Sequence, residues 1–153
     1  MKMNVEFSGL TETLKALEEC ATDKELRRTN KAIVERAQPT VRQSMKKRIP
    51  VSADNSKSGR GLKGGRSSRP EHGHAKDNIP IERVGVRGTT ATGEVGWTLS
   101  DNSEYFYMKF VEWGTVNMPP RPFIAAAARE ADRPLREIAE EEYTALLARK
   151  LGG

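Results

Sequence analysis

Between Ser52 and Lys76 the chain carries a single large aliphatic residue, Leu62, among serines, glycines and basic residues. Lys57, Arg60, Lys63, Arg66, Arg69 and Lys76 stand there against only two acids, Asp54 and Glu71. Such a stretch cannot bury enough apolar surface to offset the entropy lost on ordering. It predicts a long flexible basic loop, at about 52–76, and divides the material for a core into two flanking pieces. A single domain over residues 1–153, built from those two pieces, suits a chain of this length. With 36% hydrophobic and 31% charged residues, the composition is lean for a compact globule yet not that of a disordered chain. The loop accounts for part of that deficit. Apolar surface buried only against neighbouring subunits is expected to account for the rest.

In the first piece, Met3, Val5 and Phe7 alternate with Lys2, Asn4 and Glu6, the period of a short strand with one buried face. Gly9 ends it. Leu10, Leu14 and Leu17 then share one face of a short helix that starts near Thr11 or Thr13, with Cys20 as core filler at its end. Asp23 is the expected N-cap of the next helix. Leu26, Ile33, Ala37, Val41 and Met45 recur at helical spacing, while Arg27, Lys31, Glu35, Arg42 and Lys46 take the opposite face. This pattern predicts the longest helix of the chain, kinked at Pro39, which lacks an N–H and crowds the carbonyl four residues back. Pro50 marks its exit.

In the second piece, Ile79–Val86 and Glu94–Ser100 read as two strands. Val95, Trp97 and Leu99 lie on one face, and the glycine-flanked segment Gly88–Gly93 supplies the turn of an antiparallel hairpin. Asp101, Asn102 or Ser103 is placed to cap a short helix through about Glu112. Gly114 stands where a left-handed residue is wanted. Thr115–Pro122 is an irregular loop stiffened by Pro119, Pro120 and Pro122. A last helix begins near Phe123, with Ile124, Ala127, Ala131, Leu135, Ile138 and Leu146 as its apolar stripe. It either kinks at Pro134 or breaks and is recapped by Asp132. The fold class is α+β: a small antiparallel sheet packed by one long kinked helix and a C-terminal helix, with a long flexible basic loop.

Several chemistries find no footing. One cysteine permits neither an intrachain disulfide nor a multi-cysteine zinc site. No apolar run approaches the ~18 residues of a membrane-spanning helix, and the N-terminus lacks the apolar core of a signal peptide. His72-Gly73-His74 beside Glu71 lacks both a rigid frame and the third or fourth ligand of a metal site, so it reads as solvated. No serine stands in a nucleophile-elbow setting. Gly59–Gly65 lacks the Lys-Ser/Thr ending of a phosphate loop. Glu112 is a lone carboxylate without a partner acid or base. It is expected to pair with a cation such as Arg121, or to cap backbone N–H groups. The sequence thus predicts no enzyme, no cofactor and no metal.

The segment Tyr105–Phe123 carries the most specific signal. An aromatic-rich stretch runs into Glu112-Trp113-Gly114-Thr115, then Met118-Pro119-Pro120-Arg121-Pro122-Phe123, then the alanine-rich Ile124–Ala128. This order resembles the hallmark of the minor tail-component family of long-tailed bacteriophages, whose members are neck, head–tail connector or tail-completion proteins. Val5–Leu10 and the helix ending near Pro50 also agree with the family outline. The chain departs where members continue with a Thr-Gly-x-Leu stretch. The basic loop stands there instead, with Lys76–Ile79 as a remnant.

The resemblance implies a structural, non-enzymatic virion subunit. It would form a ring, hexameric, at the head–tail interface in a tail-completion or tail-terminator role, and would be made in the host cytoplasm. Its partners would be copies of itself and other neck and tail proteins, and no membrane. Glu112, Trp113, Gly114, Thr115, Met118, Pro119, Arg121, Pro122 and Phe123 are the residues it places at an oligomer or partner interface. Three prolines within four residues leave that loop little entropy to lose on docking. Met118 can anchor and Arg121 donate in pairs, both types enriched at interfaces, while Phe123 reads better as core. The competing expectation is a basic nucleic-acid-binding module. There Lys57, Arg60, Lys63, Arg66 and Arg69 would contact the phosphates of passing DNA, or else a partner protein. The loop has no aromatic residue for base stacking, so a linker kept soluble by its charge is the plainer reading.

Overall fold

The computed structural model describes residues 2–5, 11–51 and 73–152. In chain order these form strand β1 (Lys2–Val5), helices α1 (Thr11–Cys20) and α2 (Asp23–Arg48), and a 3-10 turn at Ala75–Asp77. Strands β2 (Gly85–Arg87) and β3 (Thr90–Gly96) and helices α3 (Met108–Trp113) and α4 (Phe123–Leu151) follow. The fold is α+β, with one three-stranded antiparallel sheet in the order β1-β3-β2. Helix α2 packs on both β3 and α4. The expectations placed on Glu6, Phe7, Gly9, Leu10 and Leu14, and on 52–72 with Lys57, Arg60, Lys63, Arg66, Arg69 and His72, lie outside the described residues. The end of the supposed loop does not fit that description: Ala75 is buried in the core and Ala75–Asp77 forms a helical turn.

Helix α2 begins one residue earlier than the sequence suggests. Thr22, not Asp23, is the N-cap: its Oγ1 accepts from Glu25 N at 3.4 Å, and Glu25 Oε2 accepts from Thr22 N at 2.9 Å. The reciprocal pair satisfies two orphan donors, and Asp23 falls in the first turn, where its charge complements the helix dipole. All of the apolar stripe from Leu26 to Met45 is buried. The helix runs unbroken past Pro39, because Pro39 and Glu35 both lie on the exposed face. Helix α4 is likewise unbroken at Pro134. At 29 residues it exceeds the 26 of α2, so the longest helix is the C-terminal one. The two helices run antiparallel, as the ion pairs Glu25–Lys150, Arg36–Glu141 and Arg48–Glu130 follow opposite chain directions.

The hairpin is tighter than the glycine-flanked segment implied. Arg87 pairs with Thr90, leaving only Gly88 and Thr89 between the strands. Gly88 has φ +60 and Thr89 a negative φ, the pattern of a II′ turn that needs glycine first. Gly93 therefore lies within β3, not in the turn. Ile81 opposes Val95 while Gly85 opposes Thr92. Arg83 and Val84 thus face Gly93 alone, a β-bulge that interrupts the expected strand 79–86. At this place α2 lies close against the sheet: a Cβ on Gly93 would lie 2.5 Å from Val34 Cγ1. Gln38, almost wholly buried, donates from Nε2 to Glu82 O at 2.8 Å and to Glu94 O at 3.3 Å across the bulge. Beyond Gly96 the strand ends, so Trp97 is buried but Leu99 is exposed.

The core has two parts. Near the sheet, Ala37, Val41, Met45, Val95, Trp97, Met108 and Phe123 pack together. At the far end of the helix pair, Leu17, Leu26, Ile33, Ala139, Tyr143 and Leu146 form a second cluster. Cys20 is exposed, with its Sγ 3.1 Å from Ala16 O, so it fills no core. Tyr143 Oη donates to Asn30 Oδ1 at 2.7 Å, and Asn30 Nδ2 donates to Thr89 O at 2.8 Å. This chain of bonds ties α4 through α2 to the hairpin turn.

Candidate docking element

The segment from Ser103 to Phe123 is a closed local unit. Asp101 Oδ2 accepts from Ser103 N and Oγ, and Ser103 Oγ accepts from Tyr105 N at 3.2 Å. A run of turns follows, and regular helix begins only at Met108, later than the sequence placed it. Gly114 ends α3 with its N–H on Phe110 O at 2.8 Å. Its φ of 76° and ψ of 179° belong to a region open almost only to glycine. A Cβ there would also sit 2.7 Å from Met118 O and 2.8 Å from Pro120 N. The following loop is more regular than expected. Thr115 N donates to Met118 O at 2.8 Å, and Thr115 Oγ1 accepts from Asn117 N at 3.3 Å.

Glu112 closes the unit. It is only 7% exposed, and its Oε2 accepts from Phe123 N at 2.7 Å and Ile124 N at 3.0 Å. Pro122 occupies the N-cap of α4 and has no side-chain acceptor to offer, so the carboxylate of Glu112, ten residues earlier in the chain, caps the helix instead. The positive end of the helix dipole holds that buried charge. Arg121 takes no part: its side chain does not pair with Glu112, and its backbone N–H binds Val111 O at 2.8 Å. Of the two roles the sequence left open for Glu112, the capping of backbone is the one present. The carboxylate is engaged by backbone, and among the described residues no side chain is recorded bonded to it. No group of three or more His, Cys, Asp or Glu suited to a metal occurs among the described residues. No helix among them is long and apolar enough to cross a membrane.

The nine motif residues therefore separate. Glu112 and Phe123 are buried. Gly114 shapes the backbone, and Pro122 starts α4. Thr115, Pro119 and Arg121 are exposed, and Met118 is half-buried. Trp113 is 59% exposed, against 41% for Phe110, and Val116 at the loop tip is fully exposed. Phe110 and Trp113 stand three residues apart on the outer side of α3, whereas Met108 and Glu112 occupy its buried face; Phe106, half-buried, lies in the turns before the helix. Phe106 meets Phe110 edge-on at 6.4 Å between ring centres. Lys109 Nζ lies 5.5 Å from the Phe110 ring centre and donates to Leu99 O at 3.1 Å. This outward aromatic pair was not singled out from the sequence, although its spacing is legible there. Comparison with protein-family models, with curated proteins and with solved structures found no match.

Proposed function

We propose that this chain is a structural, ring-forming subunit of the neck of a long-tailed bacteriophage. It would join the capsid connector to the tail in a tail-completion or terminator role, as the resemblance of Tyr105–Phe123 implies. One observation carries the reading furthest: the motif is rigid on its inner side and apolar on its outer side. Its backbone is fixed by Glu112, Gly114 and the prolines, and Phe110, Trp113 and Val116 are left at the surface. A monomer gains nothing by exposing three large apolar side chains within seven residues of one element. A subunit that buries it against a neighbour gains apolar contact with little ordering cost.

Sedimentation velocity and electron microscopy of the purified protein test this. The expected result is a closed ring at high concentration. Trp113→Asp and Val116→Asp should each shift it toward monomer while leaving thermal stability within about 0.5 kcal/mol, since exposed positions contribute little to folding. A monomer at every concentration, or a ring indifferent to both substitutions, would falsify the assignment of this ridge to assembly.

A further inference from the structure

A cleft of about 310 Å3 opens beside the motif, lined among the described residues by Val51, His74, Tyr107, Val111, Met118 and Arg121, with four smaller contributors. We propose that it is a socket for an extended segment of a partner protein presenting an aliphatic side chain next to a carboxylate. Val51, Val111, Met108 and Met118 give it an apolar side while His74, Tyr107 and Arg121 give it a polar one, and the volume is at the lower end of ligand pockets, enough for a side chain or two but not for a helix. Arg121 is the one permanently charged group among the described lining residues, and no acid lines the cleft there. Its guanidinium has no carboxylate partner among the described residues, in contrast to Arg36 and Arg48, which are ion-paired. Glu112, next to Val111 in sequence, is turned onto the α4 backbone, and Glu130, as near to Arg121 as Glu112 is, is paired with Lys47 and Arg48.

A cationic occupant would find no counter-charge among the described lining residues. A carboxylate meets a fork of donors that is free to bind in pairs. The frame is also preformed. Met118 is held by paired backbone bonds to Thr115, and Arg121 by its N–H on Val111 O. The inference assigns a partner chemistry to Met118 and Arg121, and it stands whether or not the chain forms a ring.

The test is a titration of the full chain with acetyl-Leu-Asp-amide and, separately, acetyl-Leu-Asn-amide, read by the methyl NMR signals of Met118, Val111 and Ala75. The aspartyl peptide should give saturable shifts, and the asparaginyl peptide should bind about fivefold more weakly, since it lacks the charge-assisted contact. Arg121→Gln, an exposed substitution that leaves the fold intact, should erase that difference. Equal affinity for both peptides, no saturable shift, or a preference that survives Arg121→Gln overturns the proposal. Val51 and Gly73 border the segment 52–72. If only a chain with 53–71 replaced by a glycine-serine linker binds the peptide, the occupant is the chain's own segment, and the partner proposal fails.

Discussion

At the sheet end of the α2–α4 pair the core draws on helix, strand and loop together, with Val41 and Met45 meeting Val95, Trp97, Met108 and Phe123. At the other end helix meets helix, Leu17, Leu26 and Ile33 against Tyr143 and Leu146, edged by half-exposed ion pairs such as Glu25–Lys150. The polar contacts differ in kind. Near the sheet a few unique arrangements carry the structure: the Glu112 cap, the Gly114 backbone and the Gln38 bridge across the bulge. At the helical end, apart from the chain Tyr143–Asn30–Thr89, the polar contacts are several ion pairs at the surface. Single-atom changes should therefore do most harm where the motif is built. The surface proposed for partners sits at that same end, so its shape depends on those arrangements.

Gly114→Ala should strike hardest. Strained φ combines with backbone atoms that cannot give way, so a loss of about 3 kcal/mol or more is expected in urea denaturation. A loss no greater than that of an average surface change would erase the contrast. Glu112→Ala leaves two N–H groups of α4 without their acceptor, one of them buried, and should cost about 2 kcal/mol. Glu112→Gln keeps one acceptor oxygen and should recover about half of that. An equal loss in both variants would show that charge, not acceptance, is what the helix end requires.

At the helical end, Tyr143→Phe removes the bond to Asn30 and should cost about 1 kcal/mol, with the hairpin turn losing amide-exchange protection at Thr89. The smallest effect concerns Glu25. Lys150 Nζ, and then the Thr22 N–H and hydroxyl, hold its carboxyl down at about 2 from an ordinary 4.5. Because the folded value is the lower one, its contribution is complete above about pH 4.5 and is lost as pH falls toward 2. The melting-temperature gap between the native chain and Glu25→Gln should close across that window and shrink in salt, since the group is exposed. A gap that does not change with pH would disconnect Glu25 from the capping box.

Periodicity made the helices legible. Leu26, Ile33, Ala37, Val41 and Met45 announce one face of α2, and every one is buried. Its caps were less clear, because Thr22 and Asp23 are both good N-cap residues and only the reciprocal bond to Glu25 decides between them. The hairpin was misjudged by a few residues for a related reason. Gly88 and Gly93 look alike in sequence, yet one makes a turn and the other admits a helix, and that helix lies more than fifty residues earlier in the chain. In the docking element, the glycine stop and the proline loop could be read directly. The remote cap by Glu112 was one of two readings, since sequence does not say which of two nearby groups a carboxylate will face. The cleft was not legible at all. Val51, His74, Met108 and Arg121 come from three stretches of chain that only the fold brings together.

The bulge at Arg83 and Val84 has a further consequence. It lies in the strand that forms one outer edge of the sheet, between the bridge at Ile81 and the three-residue ladder of β2. A foreign strand lining up with β2 would lose step with Ile81 after three residues, too few to hold it. Molecules crowded together at high local concentration thus find no template for runaway cross-strand addition on that side. The chain can be brought into close company with its own kind through side chains, without the risk of zipping into fibres along that edge.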